Sequence, residues 1–178
     1  MRIPLLANAA AVSGAVDHDI AALARQYGPI VFRAAWRVLG ARAAAEDVQQ
    51  QIFLRLIESP PRDVESWPAW LTAAATRLSI DHLRRQRRWK LLAPLWKADE
   101  PDDSPAEDAE RAEAGRFMRA ALARLHPRDA SCFVMRHLHG LTPAAIGSAL
   151  GLSENHVSVS VHRARKALEA MAAKEQSR

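Results

Sequence analysis

The stretch Trp70–Arg85, WLTAAATRLSIDHLRR, followed by QRRWK over Gln86–Lys90, decides the fold. Leu71, Ala74, Ala75, Leu78 and Leu83 recur at helical spacing, while Arg84, Arg85, Arg87, Arg88 and Lys90 crowd the last turns. A helix that buries one face and ends in clustered cations is built to meet an anionic surface. Far downstream, Thr142–Leu168 has the spacing of a helix-turn-helix and carries His162, Arg163, Arg165 and Lys166 near its end. Two basic helical units separated by an acidic connector make nucleic acid the leading partner.

Working outward, every other periodic segment is also helical. Apolar residues from Ile20 to Leu39 keep a helical rhythm, with Gly28-Pro29 in the middle predicting a break or kink. Ala43–Glu58 is a second helix with Ala44, Val48, Ile52, Phe53 and Leu56 on one face, and Ser59-Pro60-Pro61 stops it. Ser66 is a candidate N-cap for the helix that Trp67 and Pro68 open. Helical spacing returns at Ala112–Leu125 and Asp129–His139, with Gly140 as a stop. Thr142, Pro143 and Gly151 bound a short helix, and Ser153 caps the last one. Nothing alternates with period two over a usable length, so the fold class is all-α.

The expected organisation is two small helical domains joined by an acidic flexible linker, the second containing the helix-turn-helix. Residues 1–16 read as a disordered tail, 17–90 as the first domain, 91–111 as the linker, 112–171 as the second domain and 172–178 as a C-terminal tail. Periodicity fails in the linker, where Pro94, Pro101 and Pro105 lie among Asp99, Glu100, Asp102, Asp103, Glu107 and Asp108. Because the acids are concentrated there, the net charge of +5 understates how basic both flanks are.

Composition excludes several classes. With 49% apolar and 25% charged residues in 178, the chain has the makeup of an ordinary folded protein. No run reaches the roughly 18 apolar residues of a membrane span, so no membrane insertion is expected. The opening MRIPLLANAAAVSGAV is weakly similar to a secretory signal, but Pro4 and Asn8 interrupt its apolar run. Cys132 is the only cysteine, which rules out an intrachain disulfide and favours a reducing, cytoplasmic setting. It sits among Phe133, Val134 and Met135, as a small buried hydrophobe would. His137 and His139 lie near it in sequence but face different sides of a helix, so no metal site is expected. No phosphate loop, carboxylate pair or nucleophile–base arrangement stands out, so neither a cofactor nor an enzymatic activity is expected.

Within TPAAIGSALGLSENHVSVSVHRAR, Ile146, Leu150, Leu152, Val157 and Val161 form a small core between two crossed helices. Gly147 permits close backbone approach and Gly151 takes the turn. The outer face of the second helix carries Asn155, His156, Ser158, Ser160, His162 and Arg163 and would enter a major groove. An ordinary helical hairpin shares the glycines; the basic end favours DNA.

The segment HPRDASCFVMRHLHGLTPAAIGSALGLSENHVSVSVHRARKAL resembles the C-terminal domain of bacterial RNA polymerase sigma factors of the extracytoplasmic-function (ECF) group, in the sigma-70 family. AEDVQQQIFLRL and WLTAAATRLSIDHLRRQRR resemble the core-binding and promoter-reading segments of that group's N-terminal domain. The resemblance covers about Asp17 to Ala170 and implies a sigma factor that binds core RNA polymerase and promoter DNA. It implies that Asp47, Gln50, Gln51, Phe53 and Leu54 dock on the polymerase. It places Thr76, Arg77, Asp81, Arg84, Arg85, Arg87 and Arg88 at the downstream promoter element, where a base leaves the stack, and Ser153, Asn155, His156, Ser158, Ser160 and Arg163 at the upstream element. Asp81 also has the spacing to pair with Arg77 or Arg85, and Trp89 beside the basic cluster is a candidate for stacking on bases.

The resemblance further implies an anti-sigma partner, and a linker that either threads the polymerase cleft or serves as a solvated spacer. The chain departs from the family pattern in four places. Ser158 and Ser160 stand where a Lys and an Arg are common, Gln51 where an acid is common and Arg77 where an Asn is common. Two missing phosphate contacts would flatten the salt dependence of binding by about two units. The rival reading is a free-standing helix-turn-helix repressor or activator that binds an operator as a dimer.

Overall fold

The computed structural model describes residues 20–92 and 109–177, so the expected N-terminal tail and most of the expected linker lie outside the described residues. The described residues form seven α-helices and no strand: α1 (Ile20–Leu39), α2 (Arg42–Glu58), α3 (Trp67–Leu92), α4 (Ala109–Leu122), α5 (Pro127–His137), α6 (Pro143–Leu150) and α7 (Glu154–Gln176).

The first three helices form one unit. Val31, Ala35 and Val38 of α1 pack with Val48, Ile52 and Leu56 of α2 and with Leu71, Ala75 and Leu78 of α3, all nearly or fully buried. Burying each of these Val, Leu and Ile side chains contributes about 1.5–3 kcal/mol. The break expected at Gly28-Pro29 is absent, because α1 runs unbroken through Pro29. Gly28 is buried where a Cβ would lie 3.0 Å from Gln49 Nε2, so α2 holds the segment in place. Arg33 Nε donates to the Pro29 carbonyl at 3.2 Å, and the packing of α1 outweighs the one helical bond that proline cannot make.

The helix-turn-helix has the local chemistry its sequence announces. Thr142 Oγ1 accepts from Ala145 N at 3.2 Å to cap α6, and Pro143 occupies the first turn. Gly151 ends α6 with φ 65°, a left-handed conformation that strains any residue with a side chain. Ser153 Oγ accepts from His156 N at 3.3 Å and caps α7. Cys132 and Met135 of α5, Ile146 of α6 and Val157 of α7 form the buried centre, with Leu150, Leu152 and Val161 packed around it.

The two units meet along α3, which packs against α4, α5 and α6. Leu122, Leu125, Ala130, Val134 and Leu168 join the same continuous core as Leu71 and Leu78. Arg37 Nη1 donates to the Leu138 carbonyl at 3.1 Å, tying α1 to the end of α5. Next to it, burial and the Arg37 charge lower the His139 pKa to about 4. At the far end, α7 runs to Gln176, so residues 172–176 extend a helix rather than forming a tail; Ala172, Ala173, Lys174 and Glu175 are good helix formers.

Candidate nucleic-acid interface

The polar face of α2 is open where the sequence places it. Asp47, Gln50 and Leu54 are exposed, and Gln51 and Phe53 are half-buried. Ile57, 65% exposed beside Leu54 at 57%, extends this face with an apolar spot that was not among the expected residues. Only its one-turn spacing from Leu54 and Phe53 could have marked it.

Along α3 the expected promoter residues divide. Arg85, Arg87 and Arg88 are exposed, as are Trp89 and Lys90. Thr76 does not face outward: it is wholly buried and its Oγ1 donates to the Thr72 carbonyl at 2.8 Å, satisfying its own helix. Arg84 is half-buried, with Nη1 donating to the Leu125 carbonyl at 2.7 Å. Burial lowers the Arg77 pKa, and the charge of Asp81 one turn away opposes that shift. The pairing foreseen between Arg77 and Asp81 is therefore visible as electrostatic support. Trp70 packs edge-on against Trp67, with ring centroids 5.9 Å apart at 72°.

On α7, Asn155, His156, Ser158, Val159, His162 and Arg163 form the exposed face. Ser160 departs from expectation: only 4% exposed, it turns inward with Val157 and Ala164. Its position is three residues after Val157 and four before Ala164, the spacing of the buried stripe. There it hydrogen-bonds the Cys132 thiol, whose pKa burial raises to about 11 against the opposing effect of that bond. Ser153 is engaged as the cap and also lies 2.9 Å from His156 Nδ1. Ser158 Oγ donates to the Glu154 carbonyl at 2.9 Å while its side chain stays at the surface. Val159, 38% exposed, adds an apolar group able to meet a thymine methyl; an apolar residue between serines gave no periodic signal.

Arg136, His137, His162 and Arg165 line a shallow cleft with Pro143 and Ser158 beside the outer face of α7. Arg136 Nη1 donates to the Leu141 carbonyl at 3.2 Å, which holds a cation at the edge of the helix-turn-helix. Among the described residues no group of three or more His, Cys, Asp or Glu side chains is placed to hold a metal ion. No helix among them is long and apolar enough to cross a membrane.

A capped helix-turn-helix and a separate helix ending in exposed arginines define a helical module for binding nucleic acid. Residues 23–89 match the Sigma-70 region 2 family and residues 118–168 match Sigma-70 region 4. The chain is 31% identical over 162 residues to the ECF RNA polymerase sigma factor SigE of Mycolicibacterium smegmatis, covering 87% of this chain and 62% of that protein. It is 34% identical over 134 residues to the ECF RNA polymerase sigma factor SigF of Caulobacter vibrioides, covering 74% of this chain and 73% of SigF. It is 29% identical over 160 residues to a probable ECF RNA polymerase sigma factor SigI of Mycobacterium tuberculosis, covering 84% of this chain and 54% of SigI. This chain belongs to the ECF sigma factors of the sigma-70 family. It spans 62% and 54% of the lengths of SigE and SigI.

Proposed function

We propose that the chain binds core RNA polymerase and directs initiation at promoters with two separated elements. The observation that carries this reading is the pairing, in one chain and in the family's order, of an α3 terminus exposing Arg85, Arg87 and Arg88 with a capped helix-turn-helix exposing α7. The exposed Asp47, Gln50 and Leu54, with Gln51 and Phe53 beside them, dock on the polymerase. Arg85, Arg87 and Arg88 hold phosphates of the downstream element, and Arg77, Asp81 and Arg84 support them. Asn155, His156, Ser158 and Arg163 meet the upstream element in its major groove, with Ser153 fixing the start of that helix. The chain performs no chemistry of its own, acts in the cytoplasm, and offers both units to an anti-sigma partner.

Size-exclusion chromatography with and without core polymerase tests the reading. Co-elution with core, together with open-complex formation on promoter DNA that neither component supports alone, is the expected result. A stable free dimer that binds a two-fold operator without polymerase would replace it with the repressor reading.

A further inference from the structure

Ser153 and His156 bracket the first turn of α7 as its N-cap and its third helical residue. Two contacts join them. The backbone N–H of His156 donates to Ser153 Oγ at 3.3 Å, and the same oxygen lies 2.9 Å from His156 Nδ1. Both residues are exposed, and His156 shares the open face of α7 with Ser158 and Val159.

The direction of the second contact follows from the first. Ser153 Oγ already accepts from the backbone, and its one proton is what Nδ1 can receive. The reverse arrangement would set two N–H groups against one oxygen and leave the serine proton outside the pair. With Nδ1 accepting, the neutral ring carries its own proton on Nε2. The imidazole ring sets its two nitrogens apart, so the Nε2 proton points away from Ser153. A side chain that could donate or accept is thereby held as a donor.

We propose that Ser153 positions His156 as a specificity-determining donor that reads one guanine of the upstream element. The inference rests on the role given to α7 under Proposed function. The first turn of a recognition helix is the part that reaches base edges. In the major groove guanine presents acceptors alone, N7 and O6. Adenine sets an amino group beside its N7, thymine a methyl beside its O4, and cytosine presents a donor that would face a donor. Ser158 does not share the task, because its proton goes to the Glu154 carbonyl at 2.9 Å, and Val159 has no polar group to offer.

The test uses the full chain bound to core RNA polymerase and a duplex library built on one mapped promoter, with its upstream element randomised. Sequencing the bound fraction reads base preference at every position at once. One position is expected to prefer guanine by about three- to tenfold, and His156→Ala to remove that preference while the other positions keep theirs. Ser153→Gly still starts a helix at a cost of only a few tenths of a kcal/mol, but it has no hydroxyl. It is expected to lower the guanine preference at the same position by at least about twofold, and Ser153→Thr to restore it.

No change at any position with His156→Ala would overturn the proposal. So would a uniform loss across all sequences, which would assign the ring to a phosphate. A His156-dependent position that favours another base would overturn the guanine assignment, and an unchanged preference with Ser153→Gly would overturn the positioning role. Absence of any upstream base preference in the parent complex would instead remove the reading of α7 as a DNA-reading helix, and the proposal with it.

Discussion

Replacing Gly147 with alanine sets two effects of opposite sign against each other. In a helix interior alanine is favoured over glycine by about 0.8–1 kcal/mol, because it loses less backbone entropy on folding. Here the new Cβ would lie 2.6 Å from the Leu152 carbonyl oxygen and 3.7 Å from its carbon. The obstacle is backbone, so it cannot rotate away. The same turn is held by Leu152 N donating to the Gly147 carbonyl at 2.9 Å, and relieving the overlap stretches that bond. Overpacking of this kind costs about 1–3 kcal/mol. With the Cβ only 2.6 Å from a backbone oxygen the cost lies at the upper end of that range and outweighs the helix gain, leaving a net loss of about 2 kcal/mol and a fall of about 4–8 °C in Tm. Urea and thermal unfolding read this directly. Because Ser153 and α7 follow the displaced turn, affinity for the upstream element should fall by more than the lost stability explains. A variant as stable as the parent, or more so, would refute the close approach assigned to α6 and the turn.

Other expectations follow from the same geometry. Arg85→Ala combined with Arg88→Ala should reduce open-complex formation and flatten the salt slope of DNA binding by about 1.4–1.8 units, while co-elution with core polymerase is unchanged. Ser158→Lys, at an exposed site, should steepen that slope by about 0.9 unit, whereas Ser160→Lys forces an ammonium into the α5–α7 contact and should cost several kcal/mol of stability in urea titrations. His139 has a folded pKa of about 4, below its ordinary 6.5, so the unfolded chain binds more protons between those values. Its contribution is therefore present above pH 6.5 and is lost as pH falls toward 4, by up to about 3 kcal/mol, and His139→Gln should flatten stability against pH in that window.

The helix boundaries set by capping chemistry were legible because each cap is local: Thr142, Gly151 and Ser153 act within three or four residues of themselves. Pro29 does not break α1, because its cost is local while packing against α2 keeps the helix intact. Ser160 and Thr76 share another difficulty. Both are small and polar, and a hydroxyl satisfied by a neighbouring thiol or its own helix turns inward as readily as alanine. Ser158, not Ser160, is thus the outward departure from the family's basic pattern, which reduces the expected flattening of the salt slope from about two units to about one. The exposed face of α2 could be read from its 3.6-residue period, since Val48, Ile52 and Leu56 do lie inward. The meeting of the two units had almost no sequence signal. Ala69 and Ala73 lie in an alanine-rich stretch that the first unit's core also uses, so periodicity could not show that α3 is buried on two sides.

The most direct test of the whole account is to add the full chain to core RNA polymerase and map RNA 5′ ends across a genomic template. The account predicts a restricted set of start sites, each preceded at fixed distance by two shared elements, lost with the Arg85 and Arg88 double substitution. A distribution indistinguishable from that of core polymerase alone would contradict it.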